Sequence, residues 1–222
     1  MTDVAERLAE VRARIEAAGR RAEDVTVVAV TKGFGAGAVD AATAAGIADV
    51  GENYARELAA KVDEAAADAG RRWHFLGRVQ RNKVRAIAAA VHLWQGVDRV
   101  AAGEEIARRV PGAKVLVQVR IDDRGDTVRN GCAPEDVPDL VERLDHLGLD
   151  VRGLMAVGPP GPPELARPGF RKVSALADGL GLMERSMGMT KDLGVAVEEG
   201  STMVRVGRGL FGARPVAPTT RR

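Results

Sequence analysis

Val4, Leu8, Val11 and Ile15 recur at i, i+4, i+7 and i+11, which places them on one face of a helix that Thr2 would cap and Gly19 would end. The pattern then changes. Val25 to Val30 is a continuous apolar run rich in β-branched residues, too short for a helix of its own and suited to a strand buried on both faces. An alanine-rich helical stretch, Ala36 to Ala45, follows and stops at Gly46. The same alternation repeats to the end of the chain. Short apolar strands are expected at 49–51, 73–76, 92–95, 114–121, 151–156, 182–186 and 202–206. Helical patterns separate them at 54–69, 82–90, 101–109, 134–147, 170–180 and 191–198. With the first strand these make eight βα units, so the expected fold is α/β: a single (β/α)8 TIM-type barrel with an extra N-terminal helix, over residues 1–212. A doubly wound open sheet is the alternative, because Asp49-Val50-Gly51 is short for a barrel strand.

Two segments fall outside the alternation. Gly158-Pro-Pro-Gly-Pro-Pro163, running on to Pro168-Gly169, cannot be a sheet interior or a helix core; it reads as a rigid surface excursion after a strand. Residues 213–222 read as a flexible C-terminal tail.

Composition narrows the classes. With 33 Lys+Arg against 31 Asp+Glu, the formal charge of +2 gives no one-signed field, and aromatics are only 3%, so nucleic-acid binding lacks both its electrostatic footprint and its stacking platforms. Apolar residues at 45% suffice for one sizeable core. A single cysteine, Cys132, excludes an intrachain disulfide and a thiolate-cluster metal site and suits a reducing compartment. The first sixteen residues carry Asp3, Glu6 and Glu10 and no apolar core of a secretory signal, and no stretch approaches the ~18 uninterrupted apolar residues of a membrane helix. A cytoplasmic protein with no membrane contact is expected.

In a parallel α/β barrel the reactive groups sit just past the carboxyl ends of the strands. Lys32 stands two residues past the first strand; by residue type it is a solvated surface lysine or an amine in a partly desolvated pocket, freed as a nucleophile for Schiff-base formation. Asn53, after the second strand, is either a helix N-cap or a site residue, and His74 in the third is either a satisfied core histidine or a proton shuttle. Ser186-Met-Gly-Met-Thr190 and Val206-Gly207-Arg208-Gly209 follow the last two strands, where barrels commonly bind phosphate through backbone N–H groups. No Walker loop, His-Glu-x-x-His helix or Gly-x-Ser-x-Gly elbow is present, and His74, His92 and His146 are too scattered to argue for a metal.

Ala29-Val-Thr-Lys32, Gly51-Glu-Asn-Tyr54, Trp73-His-Phe-Leu-Gly77 with Gln80 and Asn82-Lys83, Gly153-Leu-Met155, Ser186-Met-Gly-Met-Thr190 with Asp192, and Gly200-Ser-Thr-Met-Val-Arg-Val-Gly207 ending in Phe211-Gly212 occur in one order across residues 29–212. In these stretches the chain resembles the pyridoxal-phosphate homeostasis protein family, single-domain relatives of the alanine racemase N-terminal barrel. The resemblance implies pyridoxal 5′-phosphate as cofactor, held as a Schiff base on Lys32, with Asn53 beside the ring and Arg205 at the pyridine nitrogen. Ser186 and Thr190 would face the phosphate, and Gly207 and Arg208 would offer it backbone N–H groups. It further implies an intracellular monomer that buffers the cofactor or delivers it to apo-enzymes, with no catalytic residues. The second base that a racemase needs comes from an additional domain for which no room is expected after Gly212. A weak amino-acid racemase, and a barrel binding some other phosphorylated metabolite, are the alternative functions. Two positions depart from the family pattern: Arg208, where a small hydroxyl residue is common, and Arg129, where a lysine is usual and whose acid–base roles an arginine cannot take.

Overall fold

The computed structural model describes residues 3–65, 70–121 and 130–213. Eight parallel strands close into a barrel in strict sequence order. They are β1 (Thr26–Val30), β2 (Asp49–Glu52), β3 (Arg72–Phe75), β4 (Val91–Val97), β5 (Lys114–Val119), β6 (Asp150–Ala156), β7 (Glu184–Ser186) and β8 (Met203–Val206). The closing seam pairs Val28 with Arg205 and Ala29 with Val206. The short second strand is real: it extends to Glu52 and pairs with both neighbours, so the open-sheet alternative falls. Arg129 and the tail beyond residue 213 lie outside the described residues.

The outer ring is built from α2 (Ala36–Ala44), α3 (Ala55–Glu64), α4 (Arg81–Ile87), α5 (Val100–Arg109), α6 (Val137–His146), α7 (Arg167–Gly179), α8 (Leu193–Glu198) and α9 (Arg208–Phe211). The helix α1 (Val4–Ala17) precedes β1 and packs on α8, α9 and α2, filling the gap that the four-residue α9 leaves in the ring. Its buried Leu8, Val11 and Ile15 join Val25, Leu193, Val204 and Leu210 in one apolar cluster. The cap differs from the expected Thr2: Asp3 has the extended backbone of an N-cap and its carboxylate accepts from the Ala5 N–H, a position where the negative charge also suits the helix dipole. Helix α7 starts earlier than expected because Pro168 sits in its first turn, where the missing N–H is harmless. The seventh strand is shorter than expected; Met183 is 75% exposed and lies before it.

The main core lies between strands and helices, with Trp94, Phe170, Leu144 and Ile106 fully buried. Val28, Leu93, Leu116, Met155 and Met203 form a separate cluster inside the barrel. No helix among the described residues is long and apolar enough to cross a membrane.

Candidate cofactor site

A cavity of about 510 Å³ opens at the carboxyl ends of the strands, within the range of small-ligand sites. Six of the seven residues expected at the site line it: Lys32, Asn53, Thr190, Arg205, Gly207 and Arg208. Lys191 adds a further cation and Asp192 the balancing carboxylate, so an anionic ligand is favoured. Val30, Leu76, Met155 and Val157 supply an apolar wall suited to a flat ring.

The loop that carries Lys32 is held from three directions. The Thr31 hydroxyl donates to Glu52 Oε1 at 2.5 Å, the Lys61 ammonium donates to the Thr31 carbonyl at 2.8 Å, and the Gly33 N–H donates to Glu57 Oε2 at 2.9 Å. Lys61 also pairs with Glu52, both nearly inaccessible to solvent. Burial pushes the Glu52 carboxyl up, and the bonds from Lys61 and Thr31 only partly offset it. Lys32 is therefore half-buried on a fixed loop at the end of β1. Phe34, two residues on, packs against Phe211 of α9 with tilted rings whose centroids are 5.3 Å apart, and ties this loop to the last helix among the described residues.

Arg205 is buried, and its guanidinium donates through Nη1 to the Ser186 carbonyl at 2.6 Å and hydroxyl at 2.7 Å, and through Nη2 to the Ala156 carbonyl at 2.7 Å. Burial lowers it to about 10, against the opposing field of Asp192, so it remains charged at neutral pH. Ser186 itself is not in the cavity wall. Its side chain lies fully buried behind Arg205, because β7 ends there with this residue pointing into the barrel. Thr190 does reach the cavity, and its hydroxyl accepts from the Gly209 N–H at 3.2 Å, which binds the loop after β7 to the turn after β8. Asp192 closes the former loop by accepting from the Met189 N–H at 2.7 Å.

Asn53 is not a helix cap; Tyr54 occupies that position, and Asn53 stands in the wall. His74 lies at 1% exposure between Asp49 and Gln95, away from the cavity, so it is the satisfied core histidine rather than a shuttle at the ligand. The proline-rich segment is more than a surface excursion: Gly158, Pro159, Pro160, Gly161 and Pro163 all line the cavity. The segment follows β6, so the rule of inspecting what succeeds each strand could have found it. The Glu52–Lys61 pair had no such signal, since it joins a strand end to the face of a later helix only through the fold. Cys132 is half-buried, and burial raises its thiol to about 11, leaving it protonated and unreactive at neutral pH.

At the opposite end of the barrel Arg72 and His74 both donate to Asp49. Burial alone would raise the Asp49 carboxyl, but these bonds hold it well below the usual carboxylate range. A depressed carboxylate contributes stability that is present above its unfolded value and lost as pH falls toward the folded one. Asp49→Asn should thus unfold more easily at pH 7, by about 1–2 kcal/mol, with the gap closing below about pH 4; urea titrations across that range measure it.

The closed barrel, with a lysine past its first strand and an arginine on its last flanking one cationic cavity, defines the class of alanine racemase N-terminal barrels, and residues 7–215 match the family model described as alanine racemase, N-terminal domain. Within that class the chain belongs to the pyridoxal phosphate homeostasis protein family. It is 41% identical over 226 residues to the pyridoxal phosphate homeostasis protein of Pseudomonas aeruginosa, covering 96% of this chain and 97% of the relative. It is 33% identical over 232 residues to that of Escherichia coli, covering 96% and 98%. Among solved structures it superposes on PipY of Synechococcus elongatus with PLP bound at a TM-score of 0.83, with 32% identity, covering 94% of this chain and 100% of that one. Alanine racemase from Corynebacterium glutamicum shares the fold alone, at TM-score 0.71 and 16% identity over 62% of its length.

Proposed function

We propose that this chain binds pyridoxal 5′-phosphate in the cavity, holds it covalently through Lys32, and buffers it or delivers it to apo-enzymes in the cytoplasm, as a monomer and without robust turnover of its own. The observation that carries the reading is the convergence of Lys32, just past β1, and Arg205 of β8 on one cavity that Thr190, Gly207 and Arg208 also line. The cofactor supplies an aldehyde carbon that condenses reversibly with an amine, which suits storage and release. Thr190, the 207–208 backbone and the Arg208 guanidinium are suited to the phosphate, the guanidinium standing in for a missing hydroxyl. Arg205 is suited to the pyridine nitrogen. As a cation that only donates, it keeps a proton off that nitrogen and weakens the ring as an electron sink, which favours storage over racemisation. Ser186 serves the site by anchoring Arg205.

Incubation with pyridoxal phosphate, borohydride reduction and peptide mapping should place one phosphopyridoxyl group on the Lys32 peptide and none in Lys32→Ala. Adducts scattered over other lysines would overturn the reading. Alanine in heavy water should show no protein-dependent exchange of its α-hydrogen; exchange with sustained turnover would instead establish the racemase.

A further inference from the structure

Barrels of this architecture fill their interior with layers of branched apolar side chains, yet a line of polar groups crosses this one. It starts at Arg72, the first residue of β3, whose Nε and Nη2 donate to Asp49 Oδ1 and Oδ2 at 2.8 and 2.6 Å. His74 Nε2 lies 2.8 Å from Asp49 Oδ1, and His74 Nδ1 lies 2.8 Å from Gln95 Nε2. Ser186 Oγ donates to Gln95 Oε1 at 2.7 Å and accepts from Arg205 Nη1 at 2.7 Å. From Asp49 to Arg205 every member is buried.

The direction of each bond is determined by the two ends. Arg205 can only donate, so the Ser186 hydroxyl accepts there and spends its own proton on Gln95 Oε1. That turns the Gln95 amide nitrogen toward His74, whose Nδ1 must then carry the lone pair. His74 Nε2 keeps the hydrogen and gives it to Asp49, a charged acceptor that Arg72 holds in place. Gln95 Nε2 also donates to Met203 Sδ, the two atoms lying 3.0 Å apart. One assignment satisfies every group. A polar line of this kind is disfavoured in a barrel core unless complete, and an apolar residue at position 95 would be simpler to accommodate.

The other two anchors of Arg205 are main-chain carbonyls of neighbouring strands, Ser186 on β7 and Ala156 on β6. The Ser186 hydroxyl is the third acceptor and the one side-chain acceptor among them; it shares Nη1 with the Ser186 carbonyl and links the guanidinium to Gln95 and His74. We infer that Ser186, Gln95 and His74 are positioning residues that fix the roll of the Arg205 guanidinium, and with it the electronic environment and residence time of a pyridoxal phosphate bound in the cavity. This rests on the reading that Arg205 meets the ring nitrogen.

The test compares full-length Gln95→Met, which keeps the volume and removes the amide, with Gln95→Glu, which as the neutral acid can donate to His74 and accept from Ser186. Ser186→Ala and Arg205→Gln complete the set. Each is loaded with pyridoxal phosphate; the absorption spectrum is followed against pH, and release is timed by capture on excess apo-aminotransferase. Gln95→Met and Ser186→Ala are expected to move the pH midpoint of the spectrum and to release the cofactor about fivefold to tenfold faster, with Gln95→Glu near the unsubstituted protein. If Gln95→Met does not fold, Ser186→Ala carries the comparison. Unchanged spectra and release in Gln95→Met and Ser186→Ala, while Arg205→Gln alters both, would overturn the inference and leave the site reading standing. A Gln95→Glu protein as impaired as Gln95→Met would assign the effect to packing and also overturn it. If Arg205→Gln itself alters neither quantity, the arginine does not meet the ring, and both readings fail together.

Discussion

Lys61→Met is expected to lower the free energy of unfolding by about 3–5 kcal/mol at pH 7. The size follows from what the change leaves behind. Glu52 is 0% exposed, and Lys61 is the cation that pairs with it; without the ammonium a carboxylate stays buried with only the Thr31 hydroxyl for company. Glu52 Oε2 already lacks a hydrogen-bond partner, so the site has no reserve. Burial raises this carboxyl even with Lys61 present, and in the variant it should rise further. An acid whose folded value is raised costs stability as pH climbs from its unfolded value, about 4.3, to the folded one, so the deficit should be small near pH 4 and grow toward neutrality. Urea unfolding from pH 4 to 8 measures this, and Lys61→Met with Glu52→Gln in the same chain should recover much of the loss. A deficit independent of pH would assign it to lost packing of the lysine stem instead. Because Lys61 also donates to the Thr31 carbonyl, the loop bearing Lys32 should loosen, and a slower approach to the borohydride-trapped product would report it.

Gly77→Ala should be comparably damaging and closer to the ligand. A Cβ on Gly77 would stand 2.0 Å from the Asn53 carbonyl oxygen and 2.9 Å from its carbon, and one on Gly96 would stand 2.2 Å from the Gly77 oxygen. The chain ends of β2, β3 and β4 therefore step across each other backbone to backbone, with no flexible side chain to give way. Inserting a methyl group must push Asn53 out of the cavity wall or part the strands, at about 3 kcal/mol or more. Cofactor affinity should fall at least about tenfold, because a wall residue is displaced by a large fraction of an ångström. Thermal unfolding with and without pyridoxal phosphate, and titration by absorbance, separate the two losses. Gly37→Ala is the control: it lies in α2 with nothing near its Cβ, so a small gain in stability is expected there. Equal behaviour of the two variants would mean that the strand ends are not packed this closely.

The match to the alanine racemase N-terminal family model and the superposition on a racemase show a shared barrel. In this chain the residue from β8 is an arginine with two of its nitrogens already committed to carbonyls and a hydroxyl. The proline-rich segment after β6 also lines the cavity. A Cβ on Gly158 would come within 2.4 Å of Asp192 Oδ2, so an alanine there must displace that carboxylate.

Periodicity gives eight βα units, because a buried parallel strand such as β5 is largely apolar and its covering helix shows an apolar stripe, but it leaves an open sheet as the alternative; pairing of the short Asp49–Glu52 with both neighbours closes the barrel. The family motifs named Lys32, Asn53, Thr190, Arg205, Gly207 and Arg208, all of which reach the cavity because each follows or ends a strand at the same face. The start of β7 falls two residues later than the apolar pattern predicts, since nothing local distinguishes Leu182 and Met183 from the strand they precede. Ser186, Gln95, His74, Glu52 and Lys61 needed the tertiary structure. Whether a polar side chain near a strand end enters the cavity or turns behind its neighbour depends on barrel closure and stagger. The partner that satisfies it comes from residues as far off as position 95 is from position 186, where hydrogen-bond geometry, not sequence spacing, selects the pair.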